Sequence, residues 1–393
     1  MEASIWFRNL ALSNKNKNIN EVTMKKYQSI LKYSSLGVSI LMAAGATSAK
    51  ADDFLDMAKA KVQAATAPYN KWDGPTTGPK AVANKTIVFL ASDMRNGGVL
   101  GVSNGVEEAA VWTGWTVRVL DGQGTVSGRT AAFNQAIALK PDGIILGGFD
   151  VNEQAAALEA ATKRGIKVVG WHSAPNPGPI PSKNIFSNIT TNADDVAEIA
   201  GLAAVAGSNG KAGVVIFTDS AYAVAIAKSD AMASVIKQCS GCTLISVEDT
   251  PLSDTSTRMP QLTTSLLQRY QGKWTYSLGI NDLYFDYIGS ALNASGLPDD
   301  KLPRNISAGD GSQSAYSRIR SNFNQVGTVP EPLNMHGWQV VDELNRAFAG
   351  VKDSGFSSPV HLVTPDNIKF DGGQDNIFDP DNNYREHYRA IWK

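Results

Sequence analysis

The chain has 393 residues, 43% hydrophobic and 19% charged, enough apolar material for a large buried core and a length suited to two lobes. Its 36 basic and 37 acidic side chains leave a net charge of -1, so no overall field draws an anionic polymer and nucleic acid is not an expected partner. Two cysteines are too few for a closed zinc site, and no cofactor is expected.

Met24-Lys25-Lys26 opens a basic segment, the apolar stretch SLGVSILMAAGA follows at 35–46, and Ala49-Lys50-Ala51 offers small residues to a signal peptidase. That order predicts a secretory leader over 24–51, cut before Asp52, with translation starting at Met24 rather than Met1. The leader holds no cysteine to take a lipid, so the mature chain is expected in the periplasm as a soluble monomer. Residues 52–83, punctuated by Pro and Gly, read as an N-terminal extension on the surface.

From Thr86 onward, short β-rich runs alternate with helical patterns. Strands are predicted at 86–92, 116–121, 143–148, 167–172, 185–189, 212–218, 243–248, 274–280, 305–309 and 325–329. The alternation predicts an α/β protein whose ten strands fall into two doubly wound parallel sheets, one per lobe, with a crossover between lobes near Thr190 to Asn192. After the first strand, MRNGGVLGVSNG offers two enzyme readings. A glycine-rich turn with Asp121 further on suggests a dinucleotide site, but Gly97, Gly98 and Gly101 have the wrong spacing for it. Gly101-Val-Ser103-Asn-Gly105 matches the hydrolase pattern, yet Ser103 falls inside the predicted helix instead of on the sharp turn a nucleophile needs. Cys239 and Cys242, in KQCSGCTLI, follow a helical run at 228–238, so they read as a local structural disulfide and not a redox pair at a helix N-terminus.

The residues after the strands share a chemistry: Asp93, Arg95 and Asn96; Phe149 and Asp150; Trp171 and His172; Tyr222; Asn281; Asp310; Glu331. Carboxylates and amides beside aromatic faces suit a carbohydrate or polyol, whose hydroxyls both donate and accept. Acids and Asn in such places also cap the following helix, and for any single residue the two readings stay level.

Taken in order, IVFLASDMRNGGVLGVSNGVEEAA, ALKPDGIILGGFD, ATKRGIKVVGWHS, NITTNADDVAEIAG, VVIFTDSAYAVAIAKSDAM, LGINDLYFDYIGSAL and ISAGDGSQSAYSRI resemble the periplasmic substrate-binding proteins of ABC transporters, in the ribose- and galactose-binding class, whose fold is shared by LacI-type effector domains. The resemblance implies two lobes joined by a three-crossover hinge with the ligand cleft between them: 84–190 plus 332–358 in the first lobe, 191–331 plus 359–393 in the second. It implies ligand contacts at Asn96, the Gly148-Phe149-Asp150 turn, His172 and Ser173, Lys228, Asn281, Asp310 and Glu331. This chain has Gly98 and Val99 where relatives stack an aromatic pair, His172-Ser173 for an Asp-Arg pair, Lys228 for arginine and Glu331 for glutamine. The missing stacking face is therefore expected from Trp171, Phe149 or Tyr222, with Asp254 and Arg258 reaching the cleft and Gly98 leaving it roomier. The implied role is a non-enzymatic receptor that hands a sugar or polyol to a membrane permease. A sensor feeding a chemoreceptor or kinase, and a secreted sugar-ester hydrolase, are the rival readings.

Overall fold

The apolar runs pair into two sheets because most of their residues are buried on both faces, as parallel sheets covered by helices require. In the computed structural model, which describes residues 52–373 and 375–393, the first sheet holds β1 (Thr86–Ala91), β2 (Thr116–Asp121), β3 (Gly143–Gly147), β4 (Lys167–Trp171), β5 (Gly178–Ile180) and β6 (Ile185–Ile189) in the order β2-β1-β3-β4-β6-β5. The second holds β7 (Gly213–Thr218), β8 (Thr243–Asp249), β9 (Tyr276–Gly279), β10 (Arg304–Ser307) and β11 (Gln325–Thr328) in the order β11-β10-β9-β7-β8. All pairs are parallel except the short β5 against β6, a three-residue strand containing Pro179 that carries no readable periodicity. Apart from the return of β6 inside the edge strand β5, both orders reverse direction once, between β1 and β3 and between β7 and β9, and crevices form at such switch points. The predicted leader, 24–51, lies outside the described residues.

The helices are α1 (residues 52–65), α2 (Gly97–Thr113), α3 (Val126–Ala138), α4 (Ala155–Lys163), α5 (Ala193–Gly207), α6 (Ala223–Gln238), α7 (Thr255–Arg269), α8 (Leu283–Ala294), α9 (Gln313–Arg320), α10 (Leu333–Ala349), α11 (Ile368–Asp371) and α12 (Tyr384–Trp392). Among the described residues no helix is long and apolar enough to cross a membrane. The hydrolase-like motif turns out to be a packing stripe: a Cβ at Gly101 would meet Leu333 at 2.6 Å and one at Gly105 would meet the Asn334 carbonyl oxygen at 2.5 Å, so both glycines let α10 lie against α2. Ser103 sits between them, well inside α2 and 1% exposed. Cys239 and Cys242 form a disulfide just past α6.

Three chain passages join the lobes, around 190–192, 329–332 and 350–361, and two further ones flank them. The segment 52–83 is not a surface extension. Ala58 and Ala65 of α1 enter the core of the second lobe beside Val196 and Leu202, and Lys61 pairs with Glu198 at 2.8 Å. The chain then crosses so that Tyr69 and Trp72 pack on the core of the first lobe, where the Ala81 N–H donates to the Trp392 carbonyl. The assignment of all of 359–393 to the second lobe is also corrected. Val363 bridges to Thr328, and Ile368 and Phe378 pack on Tyr316 and Ile319 of the second lobe. Residues 384–392 instead return to the first lobe, because Tyr384, Tyr388, Ile391 and Trp392 make one apolar face that covers α10. Trp392 stacks on Trp338 at 5.4 Å and its indole N–H donates to Asp342 at 2.8 Å.

That buried side of α10 also carries Glu343, which accepts from the Ser354 N–H at 3.0 Å and from the Ser354 hydroxyl. Burial, with the neighbouring Asp342 charge, outweighs these bonds and pushes its carboxyl from 4.5 up to about 7. A folded-state pKa above the unfolded one stabilises at low pH, and the contribution is lost as pH rises through about 7. Glu343→Gln, which keeps an acceptor for Ser354, is therefore expected to gain roughly 2 kcal/mol at pH 8 and little at pH 4. Thermal unfolding of both proteins at the two pH values checks it; an equal difference at both would rule out an ionisation cost.

Candidate ligand-binding site

The two switch points face each other across one cavity. The first lobe contributes Asp93 and Asn96 from the turn after β1, Gly148 from the turn after β3, and Trp171 and His172 from the end of β4; the second contributes Tyr222 and Lys228 from α6 and its entry, Asn281 after β9 and Asp310 after β10. Val99, Leu252, Ile280 and Leu283 supply apolar wall between these groups.

Asp310 is the polar centre. Its Oδ2 accepts from Asn281 Nδ2 at 2.7 Å, while Oδ1 lies 3.9 Å from Lys228 Nζ and 3.7 Å from His172 Nδ1 of the opposite lobe. Lys228 also donates to the Ala308 carbonyl at 2.6 Å, and the Asn281 side-chain oxygen accepts from the Leu283 N–H at 2.9 Å. Asn96 caps α2, accepting from Gly98 and Val99, so its oxygen is committed to the helix and its Nδ2 is the atom left to face the cavity. The indole of Trp171 lies flat on the His172 ring, 3.9 Å between centroids. Burial pushes the Tyr222 phenol up to about 12, against the pull of Arg129, so it is a neutral donor and acceptor at ordinary pH. Among the described residues no cluster of His, Cys, Asp and Glu is placed to hold a metal.

The lobes touch on either side of this cavity. A Cβ at Gly98 would fall 2.3 Å from Asp310 Oδ2, and one at Gly97 would fall 2.6 Å from Ser312 Cβ. Gly98 thus does not widen the cleft; it admits the opposing carboxylate. On the other side Asp150 Oδ2 accepts from the Ala223 N–H, at the N-terminus of α6, at 3.0 Å, and the Arg129 guanidinium sits 5.4 Å over the Tyr222 ring.

Six expected site residues go elsewhere, each for a physical reason. Phe149 is fully buried in the first lobe, edge-on to Phe133 at 6.3 Å, and has no face toward the cavity. Asp150 spends its carboxylate on Asn152 and Ala223. Arg95 folds back on Asp93 through two bonds, at 2.9 and 2.7 Å, and its side chain is 64% exposed. Asp254 is exposed and accepts from Ser253, and Arg258 is exposed beyond it on α7. Glu331 is buried at the hinge, where Thr191 donates to it from both its N–H and its hydroxyl. Ile280 and Leu283 of the apolar wall were missed, because they read as ordinary core and their one signal is that they follow the end of β9 closely; Val99 carried a second signal, since it stands where relatives stack an aromatic ring.

A family model described as a periplasmic binding protein domain matches residues 87–352. No curated protein matches the chain in sequence. Among solved structures, a sugar ABC transporter protein from Yersinia enterocolitica aligns with TM-score 0.66 at 16% identity, covering 81% of this chain and 98% of its own. The periplasmic binding component of an arabinose ABC transporter from Shewanella sp. ANA-3, bound to L-arabinofuranose, aligns with TM-score 0.62 at 16% identity over 78% of this chain and 95% of its own. An ABC transporter solute-binding protein from Agrobacterium vitis with bound allitol aligns with TM-score 0.61 at 18% identity over 73% and 97%. At such identities the likeness is one of fold, and the family match stops short of both outer segments, 53–83 and 359–392.

Proposed function

Because the chain belongs to the periplasmic binding protein family, we propose that it is an exported, non-catalytic receptor that captures a sugar or sugar-like polyol between its lobes and delivers it to an ABC permease in the inner membrane. The observation that carries the reading is the polar set meeting at one cavity from both lobes, Asn96 and His172 facing Asn281, Lys228 and Asp310, beside the Trp171 face and an aliphatic wall. Donors and acceptors so interleaved match hydroxyls, while the aliphatic and indole surfaces match C–H faces. Asp93 is balanced by Arg95 and Asp310 by Lys228, which favours a neutral solute over a charged one. Closure is then a population shift driven by contacts that only the closed form makes from both sides.

A thermal-shift screen over pentoses, hexoses, alditols and amino sugars, with NAD as control, tests this. A ligand at 100 times its Kd adds about 2.7 kcal/mol, so one sugar or alditol is expected to raise the Tm by several degrees. A shift with NAD alone, or with no sugar or alditol, overturns the reading.

A further inference from the structure

Behind the cleft, each of the three central lobe crossings contributes one polar side chain to a buried ring: Thr191 from the first, Glu331 from the second and Ser358 from the third. The Trp171 indole N–H donates to His336 Nδ1 at 3.2 Å. An indole can only donate, so Nδ1 is the acceptor and the imidazole proton sits on Nε2. Nε2 then donates to Ser358 Oγ at 2.8 Å, Ser358 passes its hydroxyl proton toward Thr191 Oγ1 at 2.8 Å, and Thr191 donates to Glu331 Oε2 at 2.7 Å. The ring closes through Glu331 Oε1, 3.2 Å from His172 Nε2, and the stack of His172 on Trp171. Every member is buried, and only Trp171 and His172 reach the cavity.

We propose that His336, Ser358, Thr191 and Glu331 are positioning residues for the cleft, fixing the Trp171 and His172 rings only when all three crossings hold the register seen here. The inference rests on the reading of the cleft as the ligand site. Donation runs one way from Trp171 through His336, Ser358 and Thr191 to Glu331, which also accepts from His172, so sliding one crossing breaks two bonds at once and leaves buried polar groups unpaired, which makes the arrangement cooperative. The charges agree with that direction. Burial holds His336 down at about 4, with Glu331 opposing, so its ring is neutral. Burial alone would raise the Glu331 carboxyl, but His172 and Lys228 outweigh it and hold it well below the usual range. The charged and titratable groups around the ring are His172, His336, Lys228 and Asp310, which faces His172 and Lys228 from the second lobe.

Nitrogen-15 NMR of the mature chain without ligand, with the Trp171 indole assigned from Trp171→Phe, tests the geometry. His336 is expected as the Nε2–H tautomer from pH 5.5 to 8, with a Trp171 indole proton that exchanges slowly. His336→Leu should speed that exchange at least tenfold, and His336→Asn, which restores an acceptor near Nδ1, should recover most of it. If His336→Leu does not fold, Ser358→Ala takes its place, with faster Trp171 exchange and displaced His336 resonances expected. An Nδ1–H tautomer pointing at Glu331 Oε2, 3.4 Å away, or indole exchange unchanged in the folded variants, overturns the proposal. The affinity for whichever sugar or alditol gives the largest thermal shift should fall about tenfold in His336→Leu and no more than twofold in His336→Asn. Unchanged affinity in His336→Leu overturns the positioning role and leaves the cleft reading standing. A screen without a binder sinks the cleft reading, and the proposal with it, whatever the NMR shows.

Discussion

Asp310→Ala is expected to weaken binding of the best sugar or alditol by about a hundredfold or more, with the fold intact. The carboxylate is where the lobes meet: Asn281 and Lys228 approach it within the second lobe, His172 faces it from the first, and Gly98 leaves its Cβ position free for it. Alanine would leave the Lys228 ammonium in a buried pocket with only the Ala308 carbonyl to accept from it. Removing one partner of a buried charge pair costs roughly 3 kcal/mol, about a hundredfold in affinity. When the lobes part, water can solvate Lys228, so the cost falls mainly on the closed form. The apparent affinity then drops with the closed fraction, even for a ligand that never touches Asp310. Asp310→Asn keeps an acceptor for Asn281 and should lose less. Calorimetry showing near-normal binding for Asp310→Ala, with unchanged circular dichroism, would remove Asp310 from the site.

The strands were legible because parallel sheets buried on both faces turn into plain apolar runs, and β1, β3 and β7 are almost wholly buried. The outer segments were not. Trp72 and Tyr69 sit among Pro and Gly that read as loop, and their partners Tyr388 and Phe356 come about 300 residues later, out of reach of any local pattern. For the tail a signal was present: Tyr384, Tyr388 and Ile391 recur at helical spacing, and Trp392 extends the same face. That face needs a partner, which α10 of the first lobe supplies.

In the site, position after a strand identified which residues stand near the cavity but not how their hydrogen-bonding capacity is spent. Asn96 and Asp150 both stand in turns that follow adjacent strands, yet Asn96 caps its own helix and keeps an amide toward the cavity, while Asp150 caps a helix of the other lobe. Glu331 reads as a ligand contact because it follows the last strand. Its oxygens are taken by Thr191 and His172, partners that arrive from another crossing and another strand. Such competition between ligand and protein for one side chain is settled by tertiary approach, which the spacing of residues does not record.

The same limit applies to the glycines of α2 and α10, and it leads to the second large effect: Gly337→Ala is expected to cost roughly 3–4 kcal/mol, net of alanine's better helix propensity. A Cβ there would lie 2.5 Å from the Gly105 carbonyl carbon and the Val106 nitrogen, and 2.6 Å from Gly105 Cα, all backbone atoms that no rotamer change can move aside. Gly101→Ala, by contrast, meets the Leu333 side chain first, which can yield, so it should cost clearly less. Because Gly337 presses on the middle of α2, relief of the clash must move α2 away from α10 and carry its capped N-terminus, Asn96 and Gly98, with it. Gly337→Ala should therefore lose ligand affinity as well as stability, although it lies outside the cavity. Chemical denaturation of both variants checks the order; equal, small losses would mean that the helices can separate freely and that the stripe is not what holds the first lobe's side of the cleft in place.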